Sequence, residues 1–207
     1  DRLKNLFRLM KEEDYSYEFI KEKVEKYLQE IPLREEFTYK VNGKGYKKGD
    51  IKKSKVEDEE RKMQLLLSAA ELFKTYNEKM LAMNRYDYSD MILWVVKAFK
   101  ENDNLLKNYQ EKYLYFLVDE FQDTNGAQNE ILNSLTSFWD SPNVFTVGDD
   151  DQCIYEFQGA RLKNIQDFIS KHKNNLTEVV LTENYRSTQS VLDFSGNVIE
   201  NNSQRLV

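Results

Sequence analysis

The sequence predicts an α/β protein: a parallel-sheet part fills the last two-thirds of the chain, and a mainly helical segment precedes it. Three observations carry this. An apolar run beginning at Tyr113 stops abruptly at Asp119-Glu120, as a buried strand that delivers two carboxylates to the carboxyl edge of a sheet. Ile131, Leu132, Leu135 and Phe138 then recur at helical spacing, and Val144–Val147 opens a second strand that ends in Gly148 and the acids Asp149, Asp150 and Asp151. Strand, helix, strand predicts parallel neighbours with a right-handed crossover, so both acidic ends open on one edge. Before about residue 83, apolar side chains recur every three or four residues, the signature of amphipathic helices.

Each element follows in order. Residues 1 to about 31 form one amphipathic helical segment (Phe19, Ile20, Val24, Tyr27, Leu28, Ile31), stopped by Pro32. From Phe37 to Tyr46 the pattern predicts a small hairpin turning at Asn42-Gly43, since this pair supplies the positive φ angles of a type I′ turn. Lys40, Lys44, Lys47, Lys48, Lys52, Lys53 and Lys55 make a dense basic stretch with Phe37, Tyr39 and Tyr46 among them, either a solvated excursion or a grip for a phosphate backbone. A long helix spans Glu59 to about Met83. Asp87 or Ser89 caps the next, Met91 to about Lys100, whose apolar run (Ile92–Val96) predicts a core helix. Leu105–Glu111 is a short helix leading into the first strand. After Gly159-Ala160 comes a helix to about Lys171, a third strand at Glu178–Thr182, and a last helix over Gln189–Ile199.

Composition narrows the chemistry. Of 207 residues, 40% are hydrophobic and 13% aromatic, enough for a core; the net charge of −6 means that any nucleic-acid contact is local rather than global. A lone cysteine, Cys153, allows no internal disulfide and suits a reducing cytoplasm, so a cytoplasmic location is expected. One histidine, His172, read as a surface residue, leaves no room for a multi-histidine metal site, and no apolar run reaches the roughly 20 residues that span a bilayer. Gly43-Lys44-Gly45 is not a phosphate-cradling loop, which needs Gly-x-x-x-x-Gly-Lys-Ser/Thr between strand and helix; nothing in these residues fits that pattern. The chain opens mid-helix in character and without an initiator Met, as expected of a piece of something longer.

Three strand ends thus present Asp119 and Glu120, then Asp149 to Gln152, then Asn184, Tyr185 and Arg186. The set resembles the motor of the UvrD/Rep/PcrA family of superfamily 1 DNA helicases. Val118-Asp-Glu-Phe-Gln-Asp-Thr-Asn125 resembles helicase motif II, the Walker B element. Val147-Gly-Asp-Asp-Asp-Gln-Cys-Ile-Tyr-Glu-Phe-Gln-Gly-Ala160 resembles motif III, and Asn184-Tyr-Arg-Ser-Thr188 resembles motif IV. A weaker likeness runs from Ala70 through Tyr86-Asp-Tyr-Ser-Asp90. The resemblance implies a RecA-like, P-loop NTPase type of fold, ATP and Mg²⁺ as cofactors, single-stranded and duplex DNA as partners, and 3′ to 5′ translocation. It also implies roles. Asp119 would hold Mg²⁺ through its water shell, Glu120 would orient and deprotonate the attacking water, and Gln152 would bond the γ-phosphate. Arg186 would reach that phosphate as an arginine finger, Tyr185 would stack on adenine, and Tyr155 and Phe157 would lie beneath DNA bases.

The departures are Phe157 and Gln158, where the family usually has Trp and Arg, a smaller stacking platform with one charge fewer. The Lys-rich stretch matches no family motif. By analogy residues 1–83 would be the helical 1B insertion, 84–176 the second part of domain 1A, and 177–207 the start of domain 2A. With no triphosphate cradle, this chain alone is expected to be inactive as an ATPase. The alternatives are a non-enzymatic nucleic-acid-binding or scaffold module of helicase shape, and a nuclease-linked helicase subunit. A Walker A sequence upstream of Asp1 would favour the enzyme over the module.

Overall fold

The computed structural model describes residues 1–153 and 162–201, with only the backbone of Leu162. Tyr155, Phe157, Gln158 and the Gly159-Ala160 pair therefore lie outside the described residues. The chain divides into two compact units, Asp1–Leu93 and Trp94 onward.

In the first unit the expected single helix is two: α1 (Arg2–Glu12) and α2 (Tyr17–Glu30). The break is local chemistry. Asp14 adopts a left-handed φ of 51°, and Ser16 Oγ accepts the Phe19 N–H at 3.1 Å to cap α2. Pro32 sits in a 3₁₀ turn, Ile31–Leu33, that ends this segment as expected. Helix α3 (Lys53–Ala82) packs on both, burying Phe7, Met10, Ile20, Val24 and Ala70 with Leu66, Phe73 and Tyr76 against them. Each fully buried side chain of this kind contributes about 1.5–3 kcal/mol. Leu65 and Leu72 of the same helix are exposed.

Between α2 and α3 there is no regular hairpin. Only isolated antiparallel bridges, Thr38 with Ile51 and Gly43 with Tyr46, join the two arms. The turn is not at Asn42-Gly43 either: the positive φ angles belong to Gly45 (93°) and Gly49 (94°). The Asn42 side chain instead accepts the Lys48 N–H at 2.7 Å, and Asp50 accepts that of Lys47 at 2.6 Å. Phe37 anchors the base, almost fully buried, and the Tyr39 and Tyr46 rings stack with centroids 3.7 Å apart.

Helix α4 (Tyr88–Glu101) begins in the first unit. Asp87 caps it, accepting the Asp90 N–H at 3.0 Å while Asp90 accepts that of Asp87 at 2.9 Å. Buried Lys11 on α1 then donates to both carboxylates, at 2.9 and 2.8 Å. Of the apolar run on α4, Val96 is buried, as is Phe99 further along, while Trp94 and Val95 are exposed, so the helix is half core rather than wholly so.

The second unit continues with α5 (Asp103–Lys112), β1 (Phe116–Val118), α6 (Gly126–Thr136) and β2 (Val144–Thr146). Strands β1 and β2 pair in parallel with Phe116 opposite Val144 and Val118 opposite Thr146, as the strand–helix–strand pattern predicts. They are shorter and less buried than expected: residues 116 and 118 are half-covered while Leu117 and Phe145 face outward. Among the described residues the third strand is not formed. Residues 178–182 carry no regular structure and no ladder partner among the described residues, and Val179, Val180 and Leu181 are exposed. A strand exists only where a neighbour satisfies its backbone. Helices α7 (Leu162–His172) and α8 (Gln189–Ile199) complete the unit. His172 is half-buried against Phe168 rather than on the surface, and burial, then the Lys171 charge, push its pKa down.

Candidate functional site

The two strand ends meet. Past β1 the chain turns through Glu120, a non-glycine residue in the left-handed region (φ 49°, ψ 46°), into a 3₁₀ turn at Phe121–Asp123. The strands stay linked beyond their last ladder pair: Val147 N–H donates to Val118 O and Phe121 N–H to Val147 O, each at 2.9 Å. The Asp119 and Glu120 carboxylates and the Asp149–Gln152 turn therefore sit at one edge, as the parallel pairing requires.

Most residues of the 119–125 turn have a physical task. Asp119 Oδ1 accepts the Glu120 N–H at 3.0 Å, which orients that carboxylate. Phe121 is buried and meets the edge of Phe168 on α7, ring centroids 5.4 Å apart. Thr124 Oγ1 donates to Phe121 O at 2.7 Å, and Thr124 O accepts from the buried Asn164 amide of α7 at 2.8 Å. Asn125 caps α6 in a reciprocal box with Gln128. Gln122, which the sequence reading passed over, is 2% exposed. Its Nε2 donates to Glu120 Oε2 at 2.7 Å, and its Oε1 accepts the Asp149 N–H at 3.2 Å. No sequence signal marks it; its place is made by Gly148, where a Cβ would stand 2.8 Å from Gln122 Oε1.

The remaining expected residues are placed as follows. Asp149 Oδ1 accepts the Asp151 N–H at 3.0 Å and Oδ2 the Gln152 side-chain amide at 2.6 Å, so the exposed Gln152 is folded back on its own turn. Cys153 packs half-buried with Sγ 3.7 Å from Gln122 O. Asn184 Oδ1 accepts the backbone N–H groups of Arg186 (3.0 Å) and Ser187 (2.9 Å), a tight polar turn that leaves Tyr185 and Arg186 exposed. No hydrogen bond or ring contact joins Tyr185 or Arg186 to the β1 and β2 ends. Among the described residues no cluster of three metal-ligating side chains exists. The only metal donor that the resemblance names is the Asp119 carboxylate, and the hard oxygen it offers suits Mg²⁺, which takes few protein ligands and keeps several waters.

Parallel strands whose carboxyl ends bring acids to one edge are the arrangement in which open α/β folds place a site. The profile of the UvrD/REP helicase N-terminal domain matches residues 1–173, and the chain belongs to that family. It is 40% identical over 152 residues to DNA helicase II of Rickettsia typhi, covering 73% of this chain and 23% of that protein. It is 39% identical over 136 residues to the probable DNA helicase II homolog of Mycoplasma capricolum (66% and 18%), and 38% identical over 136 residues to the ATP-dependent DNA helicase PcrA of Bacillus subtilis (66% and 18%). The chain thus spans about a fifth of the length of these relatives. No helix among the described residues is long and apolar enough to cross a membrane.

Proposed function

We propose that this chain carries the water-activating half of the ATPase site of a DNA helicase that translocates 3′ to 5′ on single-stranded DNA. The observation that supports it most is the meeting of Asp119, Glu120 and the Asp149–Gln152 turn at one edge of a parallel strand pair. In this reading Asp119 holds Mg²⁺ through water, its orientation fixed by the Glu120 N–H. The metal supplies charge stabilisation for the phosphate oxygens. Glu120 orients the attacking water and takes its proton. Gln152 exchanges its hydrogen bond to Asp149 for one to the γ-phosphate, which makes the turn responsive to nucleotide. Arg186 and Tyr185, exposed and without contacts to the two strand ends, are free to meet the triphosphate and adenine. Tyr155 and Phe157 stack beneath DNA bases. Residues 1–83 serve as the 1B insertion, 84–176 as part of a RecA-like domain 1A and 177–207 as the start of 2A, in a cytoplasmic protein.

The test is strand displacement by the parent protein on duplexes with a 3′ or a 5′ single-stranded tail. ATP-dependent unwinding of the 3′-tailed substrate alone is expected, with no ATP turnover by residues 1–207 in isolation, since they hold no triphosphate cradle. Binding of DNA by the parent without hydrolysis would favour the scaffold module instead.

A further inference from the structure

The buried amide of Gln122 joins the two strand ends, and its orientation is fixed by chemistry. The backbone N–H of Asp149 can only donate, so the atom facing it at 3.2 Å is Oε1, and the atom 2.7 Å from Glu120 Oε2 is therefore the donor Nε2. Gln122 is 2% exposed although its partners Glu120 and Asp149 lie at the surface, and the missing Cβ of Gly148 is what lets the amide lie there. A carboxylate with one oxygen held by a buried donor is restricted in its rotation, which biases where the second oxygen of Glu120 points. Glu120 itself leaves β1 in a left-handed conformation, so its side chain has no helix or ladder to hold it.

We infer that Gln122 is a positioning residue for Glu120: it holds that carboxylate in the orientation for water activation and ties it to the Asp149–Gln152 turn. The inference rests on Glu120 being the water-activating group. Gln152 and Gln122 both bear on the Asp149 segment, one through Oδ2 and the other through the backbone N–H, so a rearrangement of Gln152 reaches Glu120 through Gln122.

Gln122→Glu in the full-length parent isolates the role. It is close to isosteric and keeps the acceptor for the Asp149 N–H, but replaces the donor to Glu120 with a second carboxylate oxygen. The expected result is a fall in kcat for ATP of about 10- to 100-fold, as for other losses of orientation, with ATP affinity by fluorescent-nucleotide titration unchanged within about twofold. In a Glu120→Gln background, single-turnover hydrolysis should show no further loss from Gln122→Glu, because residue 122 acts only through residue 120. Gln122→Leu, which removes both bonds, should lose kcat at least as severely. If only one variant folds, its kcat decides. A kcat within about twofold of wild type in either variant, or the same proportional loss in the Glu120→Gln background, overturns the inference. Wild-type hydrolysis by Glu120→Gln alone overturns the reading of Glu120 on which it stands.

Discussion

At Gly148 the lack of a side chain is a geometric requirement. An alanine Cβ would press on Gln122 Oε1 at 2.8 Å and stand 3.3 and 3.5 Å from the backbone nitrogens of Gln122 and Phe121, which cannot swing away as a side chain can. Gly148→Ala should therefore destabilise the unit by about 1–3 kcal/mol, the usual cost of overpacking, read as a lowered midpoint in thermal or urea unfolding; in the parent it should also slow hydrolysis, because the group displaced is the one bonded to Glu120. The acids themselves were legible in the sequence, since a strand pattern that ends in carboxylates places them at an edge whatever else the protein does. Gln122 was not, because a glutamine in a polar turn leaves no periodic trace and its place depends on Gly148, Asp149 and Cys153 at and beyond the end of the second strand. Tyr185 and Arg186 show the converse: the motif is readable, but the fold of this chain brings neither to the acids.

Among elements, the tie between α1 and the start of α4 shows how an unremarkable lysine becomes structural. Lys11 is 1% exposed and lies between Asp87 and Asp90, with its Nζ also 5.1 Å from the Tyr76 ring centroid. Burial alone pulls its pKa down, but the hydrogen bonds and charges of Asp90 and Asp87 outweigh this and leave it raised above 10.5. Burial likewise opposes the ionisation of Asp87, yet Lys11 and the Asp90 N–H bring its pKa below 3.8. The aspartate contribution is complete above its unfolded value near 3.8 and lost as pH falls through the lower folded value. The lysine contribution is complete below 10.5 and lost as pH rises through the higher folded value. Lys11→Met should thus destabilise the first unit by about 2–3 kcal/mol near neutral pH, a figure tempered by the partial exposure of Asp87. Chemical unfolding across pH should show the difference from wild type flat between these limits and shrinking beyond both. The helices here were readable from periodicity, but not the break at Asp14, which rests on one left-handed residue, nor this triad, in which Lys11 lies 76 and 79 residues along the chain from Asp87 and Asp90. The strand expected at 178–182 failed for a related reason: β-branched residues favour a ladder only where a partner strand is present.

The whole molecule is acidic, with a net charge of −6, yet residues 40–55 hold seven lysines against a single aspartate. That stretch has a built shape: its loop amides are capped by Asn42 and Asp50, Lys52 and Lys55 lie over the Tyr39 and Phe37 rings, and Lys44, Lys47, Lys48 and Lys53 are exposed. If it grips a phosphate backbone, replacing these four exposed lysines by alanine in the parent should weaken DNA binding at low salt and reduce the slope of log affinity against log salt by about 0.7–0.9 for each phosphate contact removed; titrations at several salt concentrations read both, and an unchanged slope would mark the stretch as solvated surface. The central claim concerns the opposite charge, the carboxylate at the end of β1. The most direct measurement is ATP binding and steady-state hydrolysis by the full-length parent carrying Glu120→Gln. Retained nucleotide affinity with turnover reduced by about 10²-fold or more is the expected result for a lost general base, whereas turnover at the wild-type rate would contradict the assignment of Glu120 and of the edge it occupies.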